Sequence, residues 1–210
     1  MGNKRIGIVG TGSFVPERIL NNFELAKILN TNDEWIFQRT GIRERRIAAP
    51  DVFASDIAKE ASLRAMEMAK MSGVDLELIV MTTMTPDTAC PSGANWLEAK
   101  LGAERAVSFD VTAACCGFVF GLSVAEQYLK AGTYKNALVV SVEIMSRTLD
   151  WTDRESCILW GDGAGAVVLQ VFDSSPKNEP LIDHLLHRQK RLRIADRRLE
   201  RVGLPAQYGV

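Results

Sequence analysis

Two adjacent cysteines, Cys115 and Cys116, lie in the part of the sequence best suited to covalent chemistry. They belong to residues 110–120, which follow an apolar stretch and precede a helical pattern that ends at Gly132. A cysteine at a strand-to-helix turn lies beside free backbone N–H groups and the positive end of the helix dipole, and both favour thiolate over thiol. The same N–H groups can stabilise an oxyanion that develops on an attacked carbonyl. The turn therefore suits a cysteine that accepts an acyl group.

A structural role would explain the same two cysteines. Free cysteine is among the most buried residue types, so the pair can also be small core residues. Adjacent cysteines rarely bridge each other, and at most one of them can project into an active site. Cys115 directly follows two alanines and is the better candidate for a nucleophile. From the turn alone, both interpretations remain open.

Composition excludes several classes of protein. The chain has 210 residues, of which 47% are hydrophobic, and a net charge of −1, which argues against disorder and against a chain-wide nucleic-acid footprint. No stretch is long enough to span a membrane, and the apolar start is too short for a signal peptide. The four cysteines form no Cys-x-x-Cys pair, and both histidines, His184 and His187, lie in the tail. We therefore expect a reduced, cytoplasmic protein without a zinc site.

Short β-rich runs alternate with helical patterns along the chain. Strands are predicted at residues 5–9, 78–82, 106–110, 136–142 and 164–171. Their Val-, Ile- and Leu-rich composition indicates burial on both faces. Helices are predicted at residues 55–71, 92–101 and 117–131, with stops at Gly73, Gly102 and Gly132. This alternation predicts an α/β fold in which helices cover a mostly parallel sheet.

The Gly10-Thr-Gly12 motif superficially resembles a dinucleotide-binding loop. Such a loop has a third glycine, opens a helix, and is followed about twenty residues later by an acidic residue at the end of a second strand. Here Val15 occupies the third glycine position, Pro16 follows where the helix should begin, and the downstream region is helical. We therefore interpret the glycines as a tight turn and not as a nucleotide site.

The composition changes after Gln170. Residues 173–180 look like a linker, and residues 188–201 are crowded with arginines. We predict one domain at residues 1–172, followed by a linker and basic tail at residues 173–210. A basic helix can bind nucleic acid or an anionic membrane, but the sparse apolar residues favour a solvated tail. We expect no nucleic-acid partner and no membrane insertion.

Several motifs occur together in a specific order and spacing. They are Gly10-Thr-Gly-Ser13 with Pro16, Thr-Asn-Asp-Glu-Trp-Ile at 31–36, Arg-Thr-Gly-Ile-Arg-Glu-Arg at 39–45, Pro91-Ser92, the cysteine run at 110–118, and Gly-Asp-Gly-Ala-Gly at 161–165. With this set, the chain resembles the N-terminal half of a β-ketoacyl-acyl-carrier-protein synthase III, a thiolase-fold condensing enzyme that starts fatty-acid synthesis. The resemblance runs from Ile6 to about Gln170.

The resemblance implies a role for five residues. Cys115 is the nucleophile that takes an acyl group from acyl-coenzyme A, and malonyl carried on acyl carrier protein then loses carbon dioxide and attacks the acyl-enzyme. Trp35 stacks on one face of the adenine of coenzyme A and Arg154 lies on the other face of the adenine. Thr31 and Arg39 contact coenzyme A nearby. Coenzyme A thioester is then a substrate, no cofactor is permanently bound, and the protein is expected to be a homodimer.

The tail departs from the family pattern. In relatives, the second half of the fold supplies a histidine and an asparagine that stabilise charge during condensation. Neither His184 nor His187 lies in a Pro-His-Gln-Ala-Asn-like sequence, and no Asn-Thr-Ser run follows. We expect a truncated or frameshifted chain that is catalytically incomplete. The alternative is an inactive remnant that acts at most as a dimerisation module.

Overall fold

Residues 5–172, the part of the chain that this computed structural model describes, contain seven β-strands and six α-helices. The strands are β1 (Arg5–Phe14), β2 (Arg18–Asn21), β3 (Glu44–Ile47), β4 (Leu78–Thr82), β5 (Val107–Val111), β6 (Asn136–Ile144) and β7 (Asp162–Phe172). The helices are α1 (Asn22–Leu25), α2 (Asp33–Thr40), α3 (Ala54–Ala69), α4 (Gly93–Leu101), α5 (Gly117–Ala131) and α6 (Arg154–Cys157). The predicted linker and basic tail, residues 173–210, lie outside the described residues.

Five of the strands form one mixed sheet in the order β1-β7-β6-β4-β5. β4 pairs in parallel with β5 and β6, whereas β7 is antiparallel to both β6 and β1. Four strands therefore point the same way and β7 alone is reversed. The predicted α/β class and helix-covered sheet are confirmed, with the refinement that β7 makes half of the pairings antiparallel. Strand composition does not encode direction, which depends on how the connecting segments cross the sheet.

Helices cover both faces of this sheet, and strand periodicity separates the two cores. In β4, Ile79 and Met81 pack with α3 and α4, while Leu78 and Val80 pack with α5. Successive side chains of a strand point to opposite faces, so these two clusters lie on opposite sides of the sheet. β4 is buried along its full length, as its continuous apolar run predicts.

The β2–β3 hairpin forms a smaller unit with the short helices. Leu25, Ile36 and Ile47 of this unit pack against Cys157, the last residue of α6, and against Ile158, which follows it. Side chains at the helix starts explain the local structure, since the Asn21, Asn32 and Asp153 side chains accept backbone N–H bonds at the beginnings of α1, α2 and α6. The hairpin was not among the predicted strands.

The interpretation of Gly10 and Gly12 as a tight turn is wrong, because both lie within β1. A Cβ atom at Gly10 would lie 2.0 Å from the carbonyl oxygen of Ala65, and one at Gly12 would lie 2.2 Å from that of Ala61. Both contacts are with the backbone of α3. The motif therefore serves close packing of a helix against a strand.

The predicted stop of α3 at Gly73 is also wrong. The helix ends at Ala69, and Lys70 takes the left-handed C-cap conformation with φ of 55°. Gly73 instead begins a short 3-10 turn, where a Cβ atom would lie 1.9 Å from the Leu101 carbonyl oxygen. The stops at Gly102 and Gly132 are confirmed as left-handed C-caps.

Candidate active site

Three connecting segments leave the sheet at one edge. Because β4 is parallel to β5 and β6, the carboxyl ends of these strands lie at the same edge. Residues 83–92 follow β4, residues 112–116 follow β5 and residues 145–161 follow β6. Open α/β sheets bind ligands in crevices outside the carboxyl ends of their strands. Cys90, Cys115 and Arg154 therefore lie on segments that begin where such a site is expected.

Cys115 is the middle residue of a 3-10 turn, Ala114–Cys116, that leads directly into α5. Ala114 has φ of 46°, in the left-handed region, which costs an L-residue about 1–2 kcal/mol. Cys115 and Cys116 are both exposed, so neither is a core residue of the described part of the chain. The first N–H groups of α5 have no partner within the helix. Within the turn, the Cys116 N–H donates to the Ala113 carbonyl oxygen at 3.1 Å and the Gly117 N–H donates to that of Ala114. The bend thus places an accessible thiol at the start of α5, the positive end of the helix dipole.

Two glycines bring α5 close to the sheet. A Cβ atom at Gly117 would lie 3.2 Å from the Cβ of Thr82, and one at Gly121 would lie 2.7 Å from the Cγ2 of Thr82 and 3.1 Å from a methyl of Val139. These glycines belong to the buried ridge of the helix. The start of α5, and with it the cysteine turn, is therefore seated against the carboxyl end of β4.

Asp110, which begins the cysteine run in the sequence, has a supporting role. Its Oδ2 accepts a hydrogen bond from the Gly93 N–H at 2.8 Å and its Oδ1 one from the Ala94 N–H at 2.7 Å. This carboxylate caps the start of α4 and ties it to β5. Thr112 adds a hydrogen bond to the Thr83 carbonyl oxygen at 3.2 Å. Sequence reasoning did not assign a role to Asp110, and only the contact with α4 reveals it.

The segment after β4 is held by a carboxylate at the end of β6. Glu143 accepts hydrogen bonds from the Met84 N–H at 2.9 Å and from the Thr85 hydroxyl at 2.8 Å. Asp87, further along this segment, accepts from the Ser55 N–H at 2.9 Å. The exposed Cys90 follows a few residues later. This segment is therefore anchored both to the sheet and to the start of α3.

Trp35, Arg39 and Arg154 come together in a cation–π cluster. The guanidinium carbon of Arg39 lies 4.1 Å from the Trp35 ring centroid, and that of Arg154 lies 4.6 Å from it. Arg39 also donates to the Trp35 carbonyl oxygen at 3.5 Å, and Arg154 donates to the Asn30 carbonyl oxygen at 3.1 Å. Three of the residues predicted to bind coenzyme A are thus assembled from two helices, α2 and α6.

Thr31, the fourth predicted binding residue, lies between Asn30 and the start of α2. Its hydroxyl is the one buried side-chain polar atom among residues 5–172 that has no hydrogen-bond partner. A buried polar group without a partner costs about 1–3 kcal/mol. Its neighbour Asn30 accepts the hydrogen bond from Arg154, so Thr31 lies next in the chain to a residue that contacts the Trp35 cluster.

Cys157 differs from the other three cysteines because it is buried. Desolvation by burial, together with the negative charge of Asp153, raises the pKa of its thiol above the ordinary value. Residues 5–172 hold no group of three or more His, Cys, Asp or Glu side chains arranged to bind a metal ion. They also include no helix long and apolar enough to cross a bilayer.

Comparison with known proteins gives a consistent match. The family described as 3-oxoacyl-[acyl-carrier-protein (ACP)] synthase III matches residues 109–186. The β-ketoacyl-[acyl-carrier-protein] synthase III of Desulfitobacterium hafniense is 50% identical over 165 residues, which are 79% of this chain and 50% of that protein. The enzyme of the same name from Xanthomonas oryzae is 53% identical over 168 residues, which are 80% of this chain and 52% of that protein.

Solved structures agree with the sequence matches. The 3-oxoacyl-[acyl-carrier-protein] synthase III of Aquifex aeolicus has a TM-score of 0.78 at 43% identity, over 80% of this chain and 55% of that one. The priming β-ketosynthase of the R1128 polyketide pathway has a TM-score of 0.79 at 38% identity, over 83% of this chain and 52% of that one. Fold and cysteine turn thus define a thiolase-like protein of the condensing-enzyme class. Within that class, the chain matches part of the 3-oxoacyl-acyl-carrier-protein synthase III enzymes, β-ketoacyl being another word for 3-oxoacyl. It spans about half the length of the curated relatives it matches.

Proposed function

We propose that the chain carries the acyl-accepting part of a β-ketoacyl-acyl-carrier-protein synthase III, with Cys115 as the nucleophile. The observation that carries this proposal is the exposed Cys115 thiol in a strained turn, directly before the N-terminus of α5. Backbone strain at a non-glycine residue is concentrated at functional sites. The reaction class is that of the β-ketoacyl-[acyl-carrier-protein] synthase III enzymes that the chain resembles.

The first half-reaction is acyl transfer from coenzyme A. The Cys115 thiolate attacks the carbonyl carbon of acetyl-coenzyme A or a similar acyl thioester, and the electrons of the C=O bond move to oxygen. Backbone N–H groups at the turn stabilise this oxyanion. The tetrahedral intermediate collapses, the coenzyme A thiolate leaves, and the acyl group remains on Cys115 as a thioester. A thiolate suits this step because it is both a good nucleophile and a good leaving group.

The second half-reaction joins the acyl group to malonyl-acyl carrier protein. Malonyl loses carbon dioxide, the resulting carbanion attacks the acyl carbon, and Cys115 leaves as thiolate. The histidine and asparagine that assist this step in relatives have no counterpart among residues 5–172, which contain no histidine. Losing one such donor typically costs about a hundred- to a thousandfold in rate. We infer that this chain by itself accepts an acyl group but does not complete the condensation.

The Trp35 cluster is the proposed adenine site. An aromatic ring and a guanidinium plane bind the two faces of a base, and the arginine cations attract the phosphates of coenzyme A. With contacts of about 3.5 Å on each side of a base, Trp35 and Arg154 must be roughly 7 Å apart when adenine is bound. Their separation is 4.6 Å. Adenine therefore replaces a direct Trp35–Arg154 contact, and Arg154 swings outward as coenzyme A binds.

Acid-stable labelling tests the proposal. The purified chain is incubated with radiolabelled acetyl-coenzyme A, precipitated with acid and mapped by peptide. We expect label on wild type and on Cys116→Ala, and none on Cys115→Ala, because these adjacent exposed cysteines differ only in their place in the turn. Label that persists in Cys115→Ala would assign the acyl group to another residue. In the same assay, adding malonyl-acyl carrier protein should yield no ketoacyl product.

A dimerisation module without activity is the second candidate, and one observation favours it. Val119 and Phe120 of α5 are 62% and 52% exposed, and large apolar side chains exposed on a helix face mark interaction surfaces. The labelling experiment separates the two candidates, since this one requires a homodimer in sedimentation analysis and no acetyl label. The cytoplasmic location stays a prediction from the cysteine pattern.

A further inference from the structure

Arg45 is a buried arginine at the centre of the hairpin unit. It is 4% exposed, and none of the ion pairs formed within residues 5–172 includes it. Burial lowers the pKa of its guanidinium below the ordinary value. Holding a charge in such a place is costly unless its hydrogen bonds are well satisfied. The partners of Arg45 therefore indicate what the residue holds in place.

A chain of hydrogen bonds runs outward from Arg45 in two directions. Its Nε donates to the Ile158 carbonyl oxygen at 3.0 Å, and its Nη2 donates to the same oxygen. Its Nη1 donates to the Asn22 Oδ1 at 2.6 Å. Asn22, which is fully buried, donates in turn from Nδ2 to the Asp33 Oδ1 at 2.8 Å. One polar chain thus connects Ile158 to Asp33.

The two ends of this hydrogen-bond chain lie at the two helices that carry the Trp35 cluster. Asp33 is the first residue of α2, which carries Trp35. Ile158 directly follows α6, which begins with Arg154. The adjoining segment also lies close to β3, because a Cβ atom at Gly161 would be 3.2 Å from the Cβ of Arg45. Apolar contacts between α2 and α6 are tolerant of small shifts, whereas the fork of an arginine on one carbonyl oxygen is directional.

We propose that Arg45, acting through Asn22 and Asp33, is a positioning residue that sets the spacing of α2 and α6 and so places Arg154 against Trp35. It touches no substrate. This inference rests on the proposed function, in which that cluster binds the adenine of coenzyme A. It adds that the spacing of α2 and α6 is set before the ligand arrives, by a buried polar link between segments that are distant in the chain. Within that fixed spacing, only the Arg154 side chain has to swing outward to admit adenine.

The test uses the full 210-residue chain and two readouts. The first is the upfield ring-current shift that the Trp35 indole imposes on the Arg154 side-chain protons, assigned by its loss in Trp35→Ala. The second is the affinity for free coenzyme A, measured by calorimetry. Arg45→Met is expected to abolish the ring-current shift and to weaken coenzyme A binding about tenfold, roughly the loss of one to two net hydrogen bonds. Arg45→Lys keeps the positive charge but lacks the paired N–H donors of the guanidinium. It should give an intermediate ring-current shift and an intermediate affinity for coenzyme A.

Two further variants protect the test against a loss of folding. Asp33→Ala removes the carboxylate at the outer end of the hydrogen-bond chain, where the side chain is partly exposed. We expect a smaller loss of the ring-current shift and of coenzyme A affinity than in Arg45→Met. Asn136→Ala is the matched control, since Asn136 is also a buried polar link, donating to the Asp75 carbonyl oxygen at 2.8 Å and accepting from the Glu77 N–H at 3.0 Å. It should lose stability and keep both readouts.

The outcomes separate this inference from the proposed function. If the wild-type chain does not bind coenzyme A, the proposed adenine site is wrong, and the ring-current shift still tests Arg45. If wild type binds and folded Arg45→Met and Asp33→Ala keep both the shift and the affinity, Arg45 is not a positioning residue. Equal losses in Asn136→Ala would also overturn the inference, since they would reflect general destabilisation.

Discussion

Replacing Gly10 by alanine tests whether the Gly10-Thr-Gly12 motif serves packing. The new Cβ atom would lie 2.0 Å from the Ala65 carbonyl oxygen, 2.9 Å from the Ala69 nitrogen and 3.0 Å from the Ala69 Cβ. Two of these atoms are backbone atoms of α3, so no side-chain rotation can relieve the contacts. The helix must move away from β1 by about 1 Å or more to reach ordinary van der Waals distance.

The expected cost follows from what α3 covers. Ala58, Ala61 and Ala65 of this helix are fully buried in the core against the sheet, and a retreat of α3 would loosen that close-packed layer. Overpacking a core typically costs about 1–3 kcal/mol. Because the obstacle is backbone, we expect Gly10→Ala to lie at the upper end, about 3 kcal/mol. For a domain of this kind, that is a large share of the roughly 5–15 kcal/mol that separates folded from unfolded chains.

Urea unfolding followed by circular dichroism measures the effect. With a denaturant slope of about 2 kcal/mol/M, the midpoint should fall by roughly 1–2 M. Gly165→Ala is the matched control, because Gly165 also lies in the sheet, and a Cβ atom there would meet nothing within 4 Å. It should be unchanged or about 0.5 kcal/mol more stable. Equal midpoints for the two variants would refute the packing explanation, and a nucleotide whose binding depended on Gly10 would restore the loop interpretation.

Three further predictions concern the cysteines, the Trp35 site and pH. Limiting iodoacetamide and peptide mapping should label Cys115 first and leave Cys157 unlabelled until the chain unfolds, because burial raises the pKa of the Cys157 thiol; early labelling of Cys157 would contradict the described core. Trp35→Ala should weaken coenzyme A binding by about 1–3 kcal/mol, measured by calorimetry, and unchanged affinity would remove Trp35 from the site. Partial burial favours the neutral form of Asp56, but the hydrogen bonds from Lys100 and from the Phe53 N–H, together with the charge of Lys100, outweigh it and lower the pKa of this carboxyl. The resulting stabilisation is present above the unfolded pKa of about 3.9 and is lost as pH falls through the lower folded pKa. The difference in unfolding free energy between wild type and Asp56→Asn should therefore shrink in acid, and a difference that grew would contradict this explanation.

Local features of the fold could be predicted from the sequence. The bounds of α5 and β4, the left-handed caps at Gly102 and Gly132, and the position of Cys115 at a strand-to-helix turn all depend on neighbouring residues. Hydrophobic periodicity, glycine caps and small residues act over a few positions, so a single sequence contains the information that specifies them. The candidate nucleophile is of this kind, since its surroundings are the residues next to it.

Other features were decided by contacts between distant segments. The close approach of Gly10 to α3, the reversed direction of β7 and the role of Asp110 at the start of α4 each depend on a partner from elsewhere in the chain. The Trp35–Arg154 contact joins two helices separated by more than a hundred residues, and Arg45 links the same two helices from a strand in between. A residue's type records what it can bind, but only the folded chain brings its partner within hydrogen-bonding or van der Waals distance. The position of Cys115 in a strand-to-helix turn was therefore predictable from its neighbours, while the geometry of the candidate binding residues depended on tertiary packing.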